Sequence, residues 1–196
     1  TTDLVVADGM PLVWASRLAR TPLPERVAGS DLISSISAAA GGDSLSVYLL
    51  GGNTGTAEQA GQILVERCPG LRLAGAYCPQ MGFENDEATM RDIASRLKKS
   101  RPDIVYIALG VPKQERIIAQ MRDLVPDAWW VGVGISFSFL TGDVNRAPRW
   151  MQKVGLEWLH RLLMEPKRLA RRYLLEDFPF VFRLLTHALA RGLFKK

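Results

Sequence analysis

The chain has 196 residues, of which 47% are hydrophobic, and a formal net charge of +5. This length suffices for one domain with a real core and a modest appendage. Two cysteines outside any CxxC pattern argue against a disulfide framework or a zinc site, and we expect reduced, cytosolic thiols. No apolar run reaches the roughly 18 residues of a membrane-spanning helix.

Five short apolar runs rich in β-branched residues predict strands, and helix-like segments alternate with them. The runs are nearly continuous rather than alternating, which favours a parallel sheet covered on both faces. The strands are predicted at Leu4–Ala7, Leu45–Leu50, Leu71–Ala76, Ile104–Leu109 and Trp129–Gly134. The helices are predicted at Ser30–Ala40, Thr56–Arg67, Asn85–Lys99 and Lys113–Leu124. This order predicts an α/β fold with a doubly wound, mostly parallel, Rossmann-like sheet.

The pattern changes after Gly134. A short aromatic segment, Ser136–Thr141, is followed by a predicted loop, Gly142–Pro148, and then by helical sequence. The helices are predicted at Trp150–Met164, Pro166–Leu175 and Pro179–Phe194, and the two prolines suit first-turn positions. We therefore expect a sheet domain over residues 1–149 and a C-terminal helical appendage over residues 150–196.

The appendage is basic. From Met151 to Lys196 there are ten Lys or Arg against four Asp or Glu, whereas the rest of the chain has fifteen against sixteen. Such a tail indicates an anionic partner, and nucleic acid, anionic lipid and nucleotide phosphate all fit. The helix predicted near Phe178–Phe194 is also amphipathic and aromatic, which suits either a membrane interface or packing on the protein's own core or on a second subunit.

Candidate site residues follow the predicted strands directly, because ligands of open α/β sheets bind outside the carboxyl ends of the strands. Asp8 ends the first predicted strand and could serve as a general base, a ribose ligand or a turn residue. Gly51, Gly52 and Asn53 open a helix and could hold a phosphate, although Thr54 or Thr56 could instead only cap that helix.

Two further turns follow strands. Gly110 and Pro112 precede Gln114, whose amide can read a base or a sugar; a plain helix start fits equally well. Gly134 allows close approach of a ligand or close packing against a helix. No GxGxxG follows a strand, which disfavours an NAD-dependent oxidoreductase, and no GxSxG is present.

In the appendage, Arg161, Arg168 and Arg171 are spaced to share one face of a continuous helix, although Pro166 could bend it. Arginine suits bidentate phosphate recognition, but a solvated polar face explains the same spacing. The two histidines, His160 and His187, lack a metal-ligand pattern.

Several motifs in a fixed order resemble the WecG/TagA/CpsF family, glycosyltransferase family 26. The resemblance runs from about Leu4 to Tyr173, and the order and spacing of its motifs make chance an unlikely source. The motifs are Asp8-Gly9, Arg26–Asp31, Leu50–Gly52, Gly110–Glu115, Arg146–Pro148, Gly155–Arg161 and Glu165–Arg168.

This resemblance implies an inverting, metal-independent transfer of a sugar, with N-acetylmannosamine as the best-known one, from a UDP-sugar to a polyprenyl-diphosphate-linked sugar. It implies that Asp8 is the general base and that Arg26 and Gln114 belong to the active site. It further implies that Arg161, Arg168 and Arg171 close over the nucleotide diphosphate, and that the appendage holds a cytoplasmic enzyme at the inner face of the cell membrane. No cofactor and no nucleic acid are expected, and a homo-oligomer is left open.

The sequence also departs from the family pattern. The family's N-terminal segment is expected to be missing, because the resemblance begins just before Asp8. Ser138 stands where many members have Asp, and Lys98 stands where many have Asn. An alternative function is a non-catalytic, nucleotide-fold module that binds anionic lipid through its basic tail.

Overall fold

The computed structural model describes residues 2–194, without the side chains of Arg168, Arg172, Glu176 and Phe194. The chain divides into two units. One unit is Gly29–Asn145, and the other combines the chain up to Ala28 with the chain from Arg146 onward. The boundary expected between residues 149 and 150 stays a prediction.

The secondary structure alternates strands and helices in the first two thirds of the chain and is helical afterwards. The strands are β1 (Ser46–Gly51), β2 (Arg72–Tyr77), β3 (Ile104–Ala108) and β4 (Trp129–Gly132). The helices are α1 (Met10–Leu18), α2 (Gly29–Gly42), α3 (Thr56–Arg67), α4 (Glu87–Ser100), α5 (Lys113–Met121), α6 (Ser136–Thr141), α7 (Arg149–Val154), α8 (Glu157–Met164), α9 (Pro166–Arg172) and α10 (Phe178–Phe194). Short 3-10 turns occupy Phe83–Asn85 and Arg122–Leu124, and a π-helical turn occupies Tyr173–Asp177.

The four strands of the Gly29–Asn145 unit form one parallel sheet in the order β2-β1-β3-β4. The central strands β1 and β3 are buried along their whole length, which explains their continuous apolar sequences. Four of the five predicted strands are thus confirmed, with ends that differ by at most two residues.

Helices cover both faces of this sheet, because alternate residues of β1 enter two different cores. Val47 and Leu49 pack with α2, α3 and α6, and the cluster includes Ile33, Leu64 and Phe137. Tyr48 and Leu50 pack with α4 and α5, and that cluster includes Ile93, Leu97 and Ile117. The predicted doubly wound α/β fold is therefore confirmed.

The strand predicted at Leu4–Ala7 is wrong. These residues pair with no strand, and the Leu4 and Val5 side chains are 70% and 82% exposed. The segment is held by a backbone hydrogen bond from the Val27 N–H to the carbonyl oxygen of Ala7, at 2.9 Å. A run of four apolar residues is short, and its composition does not show whether a sheet edge is there to receive it.

In the other unit, α1 packs against α10. Two glycines allow other segments to approach α1 closely. A Cβ on Gly192 of α10 would clash with the carbonyl oxygen of Leu18. Gly155 ends α7 at φ +81° and lies against Met10 and Trp14 of α1. The single helix predicted over Trp150–Met164 is therefore two helices, because this left-handed glycine stops the first. The helix α1 is additional to the predicted elements.

The remaining predicted helices of the appendage are present with shifted ends. Pro166 begins α9 in its first turn, as predicted, and the π-helical turn follows it. Among residues 2–194, no helix is both long enough and apolar enough to cross a membrane.

Candidate functional site

The order in which strands are added to the sheet switches sides between β1 and β3. From β1 the chain crosses to β2 on one side, whereas from β3 it continues to β4 on the other side. The Gly52 N–H donates to the carbonyl oxygen of Ala108 at 2.8 Å, so the two turns that leave these strands are neighbours. Such a switch point opens a crevice at the carboxyl ends of the strands, and this is where ligands bind in this architecture.

The turn after β1 requires glycine at two positions. Gly51 and Gly52 have φ values of +99° and +84°. A Cβ built on Gly51 would lie 2.7 Å from the carbonyl oxygen of Ala108, and one on Gly52 would lie 2.5 Å from Thr56 Oγ1 and 3.0 Å from the Phe137 ring. The backbone of this turn therefore packs closely against Ala108, Thr56 and Phe137, and no side chain fits at either position.

The same turn leads into α3 without a side-chain cap. Gly55 is the N-cap residue at φ +80°, and as a glycine it has no side chain to cap the first turn. The Thr56 hydroxyl donates to the carbonyl oxygen of Asn53 at 2.7 Å, so the alternative in which Thr56 caps the helix is wrong. Asn53 and Thr54 are exposed. Uncapped N–H groups at a helix start favour an anion, and Glu58 in this first turn opposes it.

The turn after β3 positions Gln114 at the start of α5. Gly110 has φ +75°, the Val111–Pro112 peptide bond is cis, and the Gln114 N–H donates to the carbonyl oxygen of Gly110 at 2.9 Å. The Gln114 side chain is buried, and its Nε2 donates to Glu115 Oε1 at 3.0 Å. Its Oε1 is buried and has no hydrogen-bond partner within the described part of the chain. A buried acceptor of this kind suits a donor group of a ligand.

An ion pair that was not predicted lies near this edge of the sheet. Lys113 Nζ lies 2.5 Å from Glu84 Oε1 and 5.7 Å from the centre of the Phe83 ring. The hydrogen bond from Lys113 is the main cause that lowers the pKa of Glu84. This ion pair ties the 3-10 turn after β2 to the start of α5. The sequence does not reveal this ion pair, because Lys and Glu are common residues and 28 residues lie between these two.

Cys78 follows β2 directly and reaches the turn after β1. Its Sγ donates to the carbonyl oxygen of Gly52 at 3.2 Å, and burial is the main cause that raises the pKa of its thiol. The rule that site residues follow strands could have identified Cys78, since it is the first residue after β2. Beside it, a cleft of about 420 Å³ is lined by Tyr77, Gln80, Met81, Gly82, Phe83, Asp86 and Thr89.

Gly134 follows β4 at the same edge. It has φ +56°, and a Cβ there would meet no atom within 4 Å, so the space beside it is open. Ser138 lies four residues further on in α6 and is buried, and its carbonyl oxygen accepts from the Val144 N–H at 3.2 Å. The Gly29–Asn145 unit thus gathers Gly51, Gly52, Asn53, Gly110, Pro112, Gln114 and Gly134 along one sheet edge.

The other unit holds Asp8 and Arg26, on neighbouring segments of chain. The hydrogen bond between Val27 and Ala7 is one residue away from each of them. Asp8 is exposed rather than packed in a core. The Arg26 guanidinium donates to Glu157 Oε2 at 2.8 Å.

The three predicted arginines of the appendage do not share one continuous helix. Arg161 lies in α8 and Arg171 in α9, because the chain breaks at Glu165 and Pro166 starts a new helix. The Arg161 Nε is buried and lacks a hydrogen-bond partner among the described residues, whereas Arg171 is exposed. The side chain of Arg168 lies outside the described part.

Within residues 2–194, His, Cys, Asp and Glu side chains form no group of three or more that could hold a metal ion.

Comparison with known proteins gives a family, and similar proteins include two transferases from Bacillus. Residues 1–193 match the Glycosyl transferase WecG/TagA/CpsF family. The chain is 34% identical over 187 residues to an N-acetylglucosaminyldiphosphoundecaprenol N-acetyl-beta-D-mannosaminyltransferase of Bacillus spizizenii strain W23, a match that covers 95% of this chain and 70% of that protein. It is 32% identical over 171 residues to the protein of the same name from Bacillus subtilis strain 168, covering 87% of this chain and 64% of that protein. The chain thus spans about two thirds of the length of these relatives.

Proposed function

The chain belongs to the WecG/TagA/CpsF family of glycosyl transferases, and on this premise we propose that it is a UDP-sugar-dependent hexosyltransferase. It moves an N-acetylmannosamine-like sugar, or another hexose derivative, to a polyprenyl-diphosphate-linked sugar during synthesis of a cell-surface polysaccharide. The names of the two relatives support the lipid-linked acceptor and the sugar class. The observation that carries the proposal is the buried Oε1 of Gln114 at the carboxyl edge of the sheet, which has no hydrogen-bond partner among the residues that the structure describes.

The donor is held by the Gly29–Asn145 unit. The uncapped start of α3 offers backbone N–H groups to a diphosphate. Gln114 Oε1 accepts a hydrogen bond from the uracil or the sugar of the donor, which satisfies an acceptor that is costly to leave buried. The open space at Gly134 supports close approach of a ligand to this edge.

The chemistry requires one base and positive charge. Asp8 takes the proton of the acceptor hydroxyl, whose oxygen attacks the anomeric carbon from the face opposite UDP and inverts that centre. The bond from this carbon to the diphosphate breaks, and UDP leaves with the electron pair. The exposed carboxylate of Asp8 supports this role, because a base must be reachable by its substrate.

Arginines stabilise the leaving diphosphate, since the family resemblance implies a reaction without a metal. Arg161 and Arg171 serve this role together with Arg26. Arg168 is assigned the same role from its position in the sequence alone. The Nε of Arg161, buried and without a partner in the described part of the chain, supports an anionic ligand in that part of the unit.

The appendage binds the inner face of the cell membrane, where a lipid-linked acceptor lies. One side of α10 packs on α1, where Gly192 lies against Leu18, and Ala188 of the same helix is buried. Another side carries an exposed apolar stripe, formed by Phe178, Phe182, Leu189 and Leu193. Their spacings of four, seven and four residues place them on one helix face. Arg183 and Arg191 of the same helix add positive charge, which supports contact with an anionic lipid surface.

The same stripe favours one alternative, a non-catalytic module of this fold that binds anionic lipid. A screen of UDP-sugars with a short-chain lipid-diphosphate sugar acceptor, read by released UDP, separates the two. Acceptor-dependent release of UDP with at least one donor supports the transferase. Vesicle binding without acceptor-dependent release from any donor supports the module.

A further inference from the structure

A group of three charged side chains joins distant parts of the chain in the unit that holds Asp8. Glu157, the first residue of α8, accepts from Arg26 Nη2 through its Oε2 at 2.8 Å. Its other oxygen, Oε1, accepts from Arg146 Nε at 3.4 Å. Arg26 and Glu157 are 131 positions apart in sequence.

These side chains are largely removed from water. The exposed fractions are 14% for Arg26, 13% for Glu157 and 23% for Arg146. Ion pairs at the surface contribute little, whereas removing one partner of a sheltered pair is costly because the other charge stays behind. Glu157 also lies in the first turn of α8, where the helix dipole favours a negative charge.

The geometry limits what Glu157 itself can do. Both of its oxygens are engaged by guanidinium groups, so it is poorly suited to accept a proton from a substrate. Arg26 has five N–H donors, and its hydrogen bond to Glu157 uses one of them. The fixed arginine therefore keeps donors that an anion could use.

We propose that Glu157 is a positioning residue that holds the Arg26 guanidinium in place for the diphosphate of the donor. This inference rests on the proposed sugar transfer. The carboxylate fixes a long side chain that would otherwise lose conformational freedom on each encounter with its anion. It also keeps two guanidinium charges, those of Arg26 and Arg146, together in one sheltered place.

The test is a double-mutant cycle on the whole chain, with kcat and KM measured for the donor found in the UDP-sugar screen. Glu157→Gln keeps the shape of the side chain but removes its charge. We expect it to lower kcat by up to about 100-fold through misplacement of Arg26. In an Arg26→Ala background the same change should have almost no further effect, because the residue it positions is gone.

Two variants separate positioning from loss of fold. Glu157→Asp keeps the charge with a shorter reach and should recover part of the kcat lost in Glu157→Gln. Glu25→Gln removes an exposed carboxylate beside Arg26 in sequence and should leave kcat unchanged. Thermal unfolding of every variant is measured in parallel.

The outcomes are distinct. A kcat of Glu157→Gln equal to that of the unmodified chain overturns the inference, and so do losses that multiply fully in the double variant. If Glu157→Gln fails to fold, Glu157→Asp provides the test instead. Its shorter side chain alters the contact with Arg26, so a kcat equal to that of the unmodified chain overturns the inference. An unmodified chain that neither transfers sugar nor binds UDP contradicts the proposed function itself.

Discussion

The side-chain amide of Gln114, at the start of α5, lies directly against Gly132 of β4. A Cβ built on Gly132 would be only 2.7 Å from Gln114 Nε2, so the missing side chain of Gly132 makes the space that the amide occupies. The amide is thereby held with its Oε1 buried and unpartnered in the described part. Proteins rarely keep such an atom for stability, because an unsatisfied buried acceptor costs about 1–3 kcal/mol.

Replacing Gln114 with Met should therefore separate stability from function. Gln114→Met keeps the length of the side chain but removes the buried acceptor, so the free energy of unfolding should stay level or rise by about 1 kcal/mol. Donor binding should weaken, because the ligand loses its hydrogen-bond partner. Calorimetric UDP binding and denaturant unfolding measure the two effects. Gln120→Met, on an exposed site of the same helix, is the control and should change neither.

Gly52→Ala should be more harmful than Gly55→Ala. Both glycines are in the left-handed region, so both substitutions cost about 1–2 kcal/mol of backbone strain. At Gly52 the new methyl also meets Thr56 Oγ1 and the Phe137 ring, whereas at Gly55 it meets no atom within 4 Å. The clash should add about 1–3 kcal/mol to the loss of unfolding free energy. Equal losses in urea unfolding would show that the turn after β1 relaxes freely.

Asp8→Asn should abolish transfer while UDP binding stays largely intact. A general base contributes about 100- to 10,000-fold to a rate, and the amide cannot take the proton. Released UDP measures transfer, and calorimetry measures UDP binding. Asp3→Asn alters an exposed carboxylate in the same segment and should leave transfer normal. Normal transfer by Asp8→Asn would remove Asp8 from its role.

Phe178→Ser combined with Phe182→Ser should weaken binding to anionic vesicles. Burying a phenylalanine stabilises by about 1.5–3 kcal/mol, so even partial insertion of two rings corresponds to at least about tenfold in partitioning. Vesicle sedimentation measures it. Trp129→Ser removes another exposed aromatic, from β4 in the other unit, and is the matched control. Unaltered sedimentation of the double variant would exclude this stripe as the lipid-binding face.

Asp103 should make stability depend on pH in acid. Hydrogen bonds from the hydroxyl and then the N–H of Ser46, at 2.6 and 2.7 Å, lower the pKa of the Asp103 carboxyl in the folded protein. Its stabilising contribution is therefore complete above the unfolded pKa of about 3.9 and disappears as the pH falls through the lowered folded pKa.

Asp103→Asn should consequently be less stable than the unmodified chain at neutral pH, and the difference should shrink as the solution is acidified. Urea unfolding at several pH values measures this. Asp127→Asn, at an exposed position, should show a constant small difference across the same range. A difference for Asp103→Asn that grows in acid would contradict the assigned cause.

The sequence determined the sheet and its helices because their signals are local or nearly so. Thr56–Arg67 was predicted with both ends correct, and β1 and β3 were predicted because strands buried on both faces have continuous apolar sequences. The same rule failed at Leu4–Ala7, where the run is apolar but no strand pairs with it.

The sequence also determined the family, because several motifs in a fixed order carry information that no single motif carries. Tertiary structure alone decided how the residues of those motifs meet. Nothing local shows that Gly132 makes room for Gln114, or that Glu157 holds Arg26 from 131 positions away. Side-chain type and spacing fix the secondary structure, but ion pairs and buried acceptors depend on which distant segments pack together and how much water they exclude.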